Sequence, residues 1–214
     1  MSYIYQPDRD LLAKQIKKYA HHIRGIVLDV GSGGLKRYAS LFKCEKYITL
    51  DIDEKCGSDI IASVEKIPMG DESVDAIICT QVLGDIKDIE LAVREFYRVL
   101  KRGGVILLTE SLFNELHDEP NDFWRFTSFS LKYILEENKF KIIEIDQRGG
   151  FFSSQAQLRI RYLIDRLGLY SKKRSFILGP LIMFYGKFMV FLDKIDRSKA
   201  NRKHAIGWCV LARK

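Results

Sequence analysis

Leu28-Asp29-Val30-Gly31-Ser32-Gly33-Gly34 is the stretch that decides how this chain is read. Ile26–Val30 is a short apolar run bounded by glycines, the mark of a buried strand. It gives way to a turn in which Gly31 and Gly33 let the backbone bend sharply and approach a ligand that a Cβ would hold off. Asp51 lies twenty residues beyond Gly31 and closes a second apolar run, Tyr47–Leu50. A carboxylate there can accept both hydroxyls of a ribose. The glycines alone would suit any strand-to-helix turn, and Asp51 alone any solvated loop. Together, at this spacing, they describe an edge that binds a nucleoside.

The neighbours narrow the nucleoside. A dinucleotide fingerprint wants a third glycine three residues after Gly33, but Lys36 stands there, which disfavours a nicotinamide oxidoreductase. Asp29, directly before the turn, is ill suited to a pyrophosphate and well suited to an ammonium group. An acid at the strand end, a tight turn and a ribose-binding acid favour a ligand with an amino-acid end and a nucleoside end. S-adenosylmethionine has both.

Outward from this turn the periodicity alternates. Residues 8–23 carry a helical stripe (Leu12, Ile16, Tyr19, Ile23) that Gly25 is expected to stop. Leu35–Phe42 reads as a helix, Asp59–Ala62 as a short strand, and Val74–Thr80 as a strand covered on both faces. Ile89, Val93, Phe96 and Leu100 mark an amphipathic helix expected to close at Gly103-Gly104. Val105–Thr109, a helix over 128–138 and Lys141–Ile145 follow. Such alternation predicts an α/β domain with a largely parallel sheet, whose ligands bind at the carboxyl ends of the strands.

The chain has 214 residues, 47% of them hydrophobic and 29% charged, which excludes a disordered chain or a fibre. Its net charge of +7 is concentrated: residues 151–203 hold 12 Lys/Arg against 3 Asp/Glu. Cys44, Cys56, Cys79 and Cys209 form no C-x-x-C pair, and the histidines are dispersed, so no structural metal site is expected. Dispersed thiols and a polar Met1–Asp10 without a signal core fit a reducing, cytoplasmic setting.

The words LDVGSG (28–33), LDID (50–53), EKIPMGDESVDAIICTQVL (65–83) and REFYRVLKRGGVILLTE (94–110) occur in this order. In them the sequence resembles the class I S-adenosylmethionine-dependent methyltransferases with the small methyltransferase-domain pattern. The resemblance implies a Rossmann-like, seven-stranded, mostly parallel sheet. Its last strand, here Ala205–Ala212, would run antiparallel, with helices on both faces. It further implies a core at 1–150 and 204–214, interrupted by a helical insertion at 151–203. By the same resemblance Asp29, Gly31, Ser32 and Gly33 would hold the methionine part of the cofactor and Asp51 its ribose, with Ile52 against the adenine. Ser63-Val64-Glu65 falls where relatives place an adenine-contacting acid, commonly at the position of Ser63, so Glu65 or the Val64 backbone would substitute. Thr80 and Gln81 would lie beside the sulfonium. Relatives often show Glu-His where this chain has Gly84-Asp85.

The next signature, HDEPNDFWRFT (117–127), resembles a methyltransferase subgroup associated with glycan and cell-surface biosynthesis, in which this loop closes over the acceptor. Imidazole suits proton removal near neutrality, which makes His117 the candidate general base for a hydroxyl acceptor. Trp124 and Phe126 would line a sugar or apolar face, and Arg125 would hold an anionic group. The same residues also suit a structural reading, with Trp124 and Phe126 as core anchors and Asp122–Arg125 as an ion pair ahead of a helix capped by Thr127. The expected function is methyl transfer to a small-molecule, glycan or lipid-linked acceptor. A catalytically silent nucleoside-binding module is the alternative.

Within the insertion, Ile160, Leu163, Ile164 and Leu167 share a helical face that ends at Gly168. Lys172-Lys173-Arg174 then precedes Phe176–Leu192, seventeen residues with one charge, Lys187. That run is short for a membrane span and contains Pro180. It fits either an anionic membrane interface or packing on its own sheet or a second copy of the chain. The basic residues are mixed with long aliphatics and no aromatic stacking platform, so nucleic acid is not the expected partner.

Overall fold

The computed structural model describes residues 4–214; the first three residues of the Met1–Asp10 reading lie outside it, as does the Lys172 side chain. Seven strands form one sheet: β1 (Arg24–Val30), β2 (Lys43–Asp51), β3 (Ile60–Ile61), β4 (Val74–Thr80), β5 (Leu100–Ser111), β6 (Lys141–Arg148) and β7 (Gly207–Arg213). Their order is β3-β2-β1-β4-β5-β7-β6. Strand β1 pairs in parallel with β2 and β4, β2 with β3, and β4 with β5. Strand β7 runs the other way: the Gly103 N–H donates to the Lys214 carbonyl at 3.1 Å, while the Leu112 N–H donates to the Ile206 carbonyl at 2.9 Å. The fold is the Rossmann-like one expected, with a helical segment before β7.

The continuous apolar run of β4 has its reason in this order. As a central strand it is covered on both faces, and Val74 and Ala76–Cys79 are fully buried. On one face Leu28, Val30, Ile77, Cys79, Ile106 and Leu108 pack with Val93, Phe96 and Val99 of α2 (Ile89–Val99; α1 is Pro7–Tyr19) and with Leu131 and Leu135 of α3 (Ser128–Glu137). Both helices are capped as their sequences dictate: the Asp88 carboxylate accepts the Leu91 N–H, and the Thr127 hydroxyl that of Ser130.

Three local expectations are corrected. Leu35–Phe42 is not a helix; only a 3-10 turn at Ala39–Leu41 forms. An eight-residue segment does not offset the cost of helix nucleation unless an apolar face is buried, and Leu35 and Leu41 are both exposed. Gly103-Gly104 does not close α2, which ends at Val99 so that Leu100 opens β5 at once; the glycines lie inside the strand, where the β4–β5 register shifts between Val74 and Ala76. Gly25 likewise lies in β1, at a register shift against β2, and α1 has already ended at Tyr19.

The chain divides into two compact units. One comprises Gln15–Ser111, Leu116–Asp146 and Trp208–Lys214; the other comprises the residues up to Lys14, Leu112–Glu115 and Gln147–Gly207. The second unit is built on α4 (Phe151–Leu167), α5 (Lys172–Ile195) and α6 (Lys199–Arg202), around Ile4, Ala156, Ile160, Ile164, Leu169 and Ile182. The apolar run thus extends beyond Phe176–Leu192 into a 24-residue helix that continues through Pro180. At its far end the Asp193 carboxylate accepts the N–H groups of Gly150, Phe152 and Ser153, each at 3.0 Å, and so caps the start of α4. Arg148 and Asp8 form a buried ion pair at 2.7 Å in the same unit.

Phe96 is wholly buried where α2 meets the sheet. Phe96→Ala is expected to lower unfolding stability by about 3–5 kcal/mol in denaturant titrations, with the secondary structure retained.

Candidate active site

The carboxyl ends of β1, β2 and β4 lie side by side, and the turns leaving them gather most of the residues singled out in the sequence. Gly31 is held by two close approaches. Its N–H donates to the Leu50 carbonyl at 2.8 Å, and a Cβ at this position would sit 2.3 Å from Val82 Cγ2. At Gly34 a Cβ would fall 1.7 Å from the Cys56 carbonyl oxygen. These two glycines are needed for packing between loops. Gly33 differs: among the described residues, its chain neighbours aside, no atom lies within 4 Å of where its Cβ would be, so this side of the turn is open.

Asp51 ends β2 and turns its carboxylate to that turn. Oδ2 accepts the Gly33 N–H at 2.7 Å and Oδ1 accepts the Asp53 N–H at 3.0 Å. Each oxygen retains a lone pair for another donor. Ile52 beside it is 73% exposed, a large apolar side chain with no cover of its own. Ser63, Val64 and Glu65 follow β3. Val64 is buried, the Ser63 hydroxyl donates to Glu65 Oε2 at 3.3 Å, and Glu65 Oε1 accepts the Asp88 N–H at 3.1 Å. The Glu65 carboxylate is therefore engaged at the start of α2.

Asp29 is 3% exposed. The Tyr47 hydroxyl donates to its Oδ2 at 2.7 Å, and Oδ1 is buried with no hydrogen-bond partner among the described residues. Burial lifts the Asp29 carboxyl to about 6, opposed by the Tyr47 hydrogen bond. A buried carboxylate oxygen without a donor, next to an open glycine turn, is a site that lacks a cation or an N–H group, and the ammonium group of S-adenosylmethionine fits that need.

Thr80 and Gln81 leave β4. Gln81 adopts a left-handed conformation (φ 57°), uncommon for a residue with a Cβ; its side-chain amide donates to the Ser111 hydroxyl at 3.0 Å. The following turn is held by Glu110, which is buried and accepts the N–H groups of Val82 and Leu83 at 3.0 and 2.8 Å. Neither Glu110 nor Tyr47 was among the expected site residues. The legible signal for Glu110 was an acid closing the apolar run VILLTE.

The loop from Leu116 brings His117 between two acids. Its Nδ1 lies 3.5 Å from Asp122 Oδ2, its Nε2 lies 3.7 Å from Asp85 Oδ1, and its backbone N–H donates to Asp122 at 3.1 Å. Arg125 grips both oxygens of Asp122 and, as the main cause, holds that carboxyl down at about 2. Burial raises Asp85 above the usual carboxylate range. Asp85, His117 and Asp118 place one ligand atom each within 4.8 Å of one another; Asp118 is exposed, and such clusters commonly form without a metal. Trp124 is half exposed, its indole N–H donating to the Ile86 carbonyl at 2.9 Å and its backbone N–H to that of Gly84 at 3.0 Å. Phe126 is 3% exposed and packs in the core with Leu131 and Leu135 rather than lining a cleft.

Comparison with known proteins bears on this geometry. Residues 28–108 match the family described as a methyltransferase domain. The uncharacterised protein MJ1123 of Methanocaldococcus jannaschii is 30% identical over 189 residues, covering 84% of this chain and 87% of that one. The chain belongs to the class I S-adenosylmethionine-dependent methyltransferases. A second relative is the ubiquinone/menaquinone biosynthesis C-methyltransferase UbiE of Rickettsia prowazekii, 29% identical over 184 residues, 84% of this chain and 70% of that one. The solved structure of the cyclase SpnF shares the fold, with a TM-score of 0.62 at 19% identity over 97% of this chain and 80% of that one. The cofactor of this methyltransferase is accordingly S-adenosylmethionine.

A cationic ligand beside Asp29 requires the ionised carboxyl, whereas the free protein holds this proton up to a pH of about 6. Cofactor affinity is therefore expected to rise as pH increases through about 6 and to level off above it. Below that value affinity should fall about ten-fold per pH unit. Calorimetric titration across this range checks the slope, which Asp29→Asn should abolish.

Proposed function

We propose that this methyltransferase transfers the methyl group of S-adenosylmethionine to a small-molecule, glycan or lipid-linked acceptor presented at the 117–126 loop. In this reading Asp29 and the Gly31-Ser32-Gly33 turn hold the amino-acid end of the cofactor and Asp51 its ribose. Ile52 packs against the adenine, Ser63, Val64 and Glu65 border it, and Thr80 and Gln81 flank the sulfonium. When bound, the cofactor supplies an electrophilic methyl group on a positively charged sulfur.

The observation that carries the reading is the buried Oδ1 of Asp29, without a donor among the described residues, on the strand that leads into the Gly31–Gly33 turn. What remains for the chain is to orient the acceptor and take its proton. In-line displacement is mainly a matter of positioning, which can supply roughly 7–11 kcal/mol of the barrier. His117, set between Asp122 and Asp85, is assigned the proton. Asp122 orients the ring, and Asp85 faces the other nitrogen, where it favours the imidazolium that forms. The half-exposed Trp124 face and Arg125 border the acceptor. The relative named for quinone biosynthesis supports an apolar, lipid-linked member of the acceptor class.

A silent nucleoside-binding module is the second reading, favoured by the engagement of Glu65 with Asp88 and Ser63 instead of an open position. Turnover separates the two. Asp51→Ala should weaken cofactor binding about 30- to 150-fold by calorimetry, the loss of paired hydrogen bonds to a charged acceptor. His117→Ala should leave cofactor affinity unchanged and lower kcat about 10²- to 10⁴-fold with a hydroxyl acceptor, measured by release of S-adenosylhomocysteine. Equal cofactor affinity in Asp51→Ala and the parent refutes the ribose assignment; binding without turnover across acceptors refutes the enzyme.

A further inference from the structure

We infer that the outward face of α5 is a docking surface for a membrane rich in anionic lipid. Ile177, Leu181, Phe184, Phe188, Phe191 and Ile195 recur every three or four residues and so form one stripe, about 27 Å long. All six are exposed, from 48% at Phe188 to 74% at Ile177, and the Phe184 and Phe188 rings stack with centroids 6.4 Å apart. The opposite face, with Ser175, Ile182, Gly186 and Val190, is the one buried in the helical unit, and Gly186 lies against Tyr5. The helix is therefore apolar on both faces, and its own unit uses only one. An exposed apolar stripe of this length marks a surface made for contact.

Charge selects the occupant. Lys173 and Arg174 stand exposed at one end of the stripe, Lys187 beside its aromatic centre, and Lys194, Arg197, Lys199 and Lys203 at the other end. The three acids of residues 151–203 are already engaged: Asp165 accepts from the Tyr170 hydroxyl, Asp193 from the start of α4, and Asp196 from the Ser198 N–H. An apolar stripe rimmed by unopposed cations is complementary to acyl chains beneath anionic headgroups. A second copy of the chain would set like-charged rims against each other. By length and composition alone, Lys173–Ile195 could also cross a bilayer. Crossing would draw Lys187 and Asp193 into hydrocarbon and break the cap that Asp193 makes on α4. This inference does not depend on the acceptor chemistry proposed above.

The test is sedimentation of the full chain with vesicles of phosphatidylcholine mixed with phosphatidylglycerol, and with phosphatidylcholine alone. Binding to the mixed vesicles is expected to exceed binding to the neutral ones about ten-fold or more, and to fall as salt is raised. Phe184→Glu with Phe188→Glu should abolish binding while leaving the thermal midpoint unchanged, because both rings are exposed. Lys173→Glu with Lys194→Glu should weaken binding to the anionic vesicles and leave the weak binding to neutral vesicles as it was. Absence of binding to the mixed vesicles, equal binding to both kinds, or full binding by the phenylalanine variant overturns the inference. A concentration-dependent dimer that the phenylalanine variant abolishes also overturns it, assigning the face to a second copy.

Discussion

The site depends on how the first turn is held in place without a helix behind it. In the expected arrangement a helix would follow the glycines and fix their direction. Here the chain from Leu35 to Phe42 forms a single 3-10 turn, and the constraint passes to neighbouring loops. Gly31 fits because it has no Cβ to meet Val82, Gly34 because it has none to meet the Cys56 carbonyl, and the N–H between them is taken by Asp51. Three contacts, two from the end of β2 and the loop after it and one from the loop after β4, replace one element of secondary structure.

Around this turn, carboxylates fix the backbone repeatedly. Asp51 accepts from Gly33 and Asp53, Glu110 from Val82 and Leu83, Glu65 from Asp88, and Asp59 from the N–H and hydroxyl of Thr49. In each case carboxyl oxygens accept from backbone N–H groups. Asp29 departs from this pattern. Among the described residues its one donor is a phenol and its second oxygen has none, while burial works against its charge. Among these acids it is the one whose electrostatic needs the protein leaves unmet.

Much of this was legible in the sequence, and the exceptions share a cause. Alternating periodicity located six of the strands, since strands buried on both faces leave apolar runs, although β5 begins at Leu100 rather than Val105; the last strand came from the family resemblance. The word LDVGSG with Asp51 marked a turn at the strand ends where the structure joins the Gly33 N–H to the Asp51 carboxylate, although Gly31 within it answers to packing against Val82. The helix at Leu35–Phe42 does not form because Leu35 and Leu41 stay exposed and only Phe42, at its end, is buried. Gly25 and Gly103-Gly104 were misread as helix stops because a glycine at a β-bulge and one at a helix end look alike without the register. The roles of Tyr47 and Glu110 exist only once β2 lies beside β1 and β5 beside β4. Phe126 illustrates the converse: an aromatic in a functional motif that the fold uses as core.

The cap that Asp193 places on α4 has a consequence for whatever meets α5. Three amides at the start of one helix converge on one carboxylate near the end of the next, so the hairpin closes on itself within the folded chain. The entropy of ordering these helices is then spent during folding, before any encounter. A surface that docks there meets helices already tied together, so less of its binding free energy is consumed in arranging the chain.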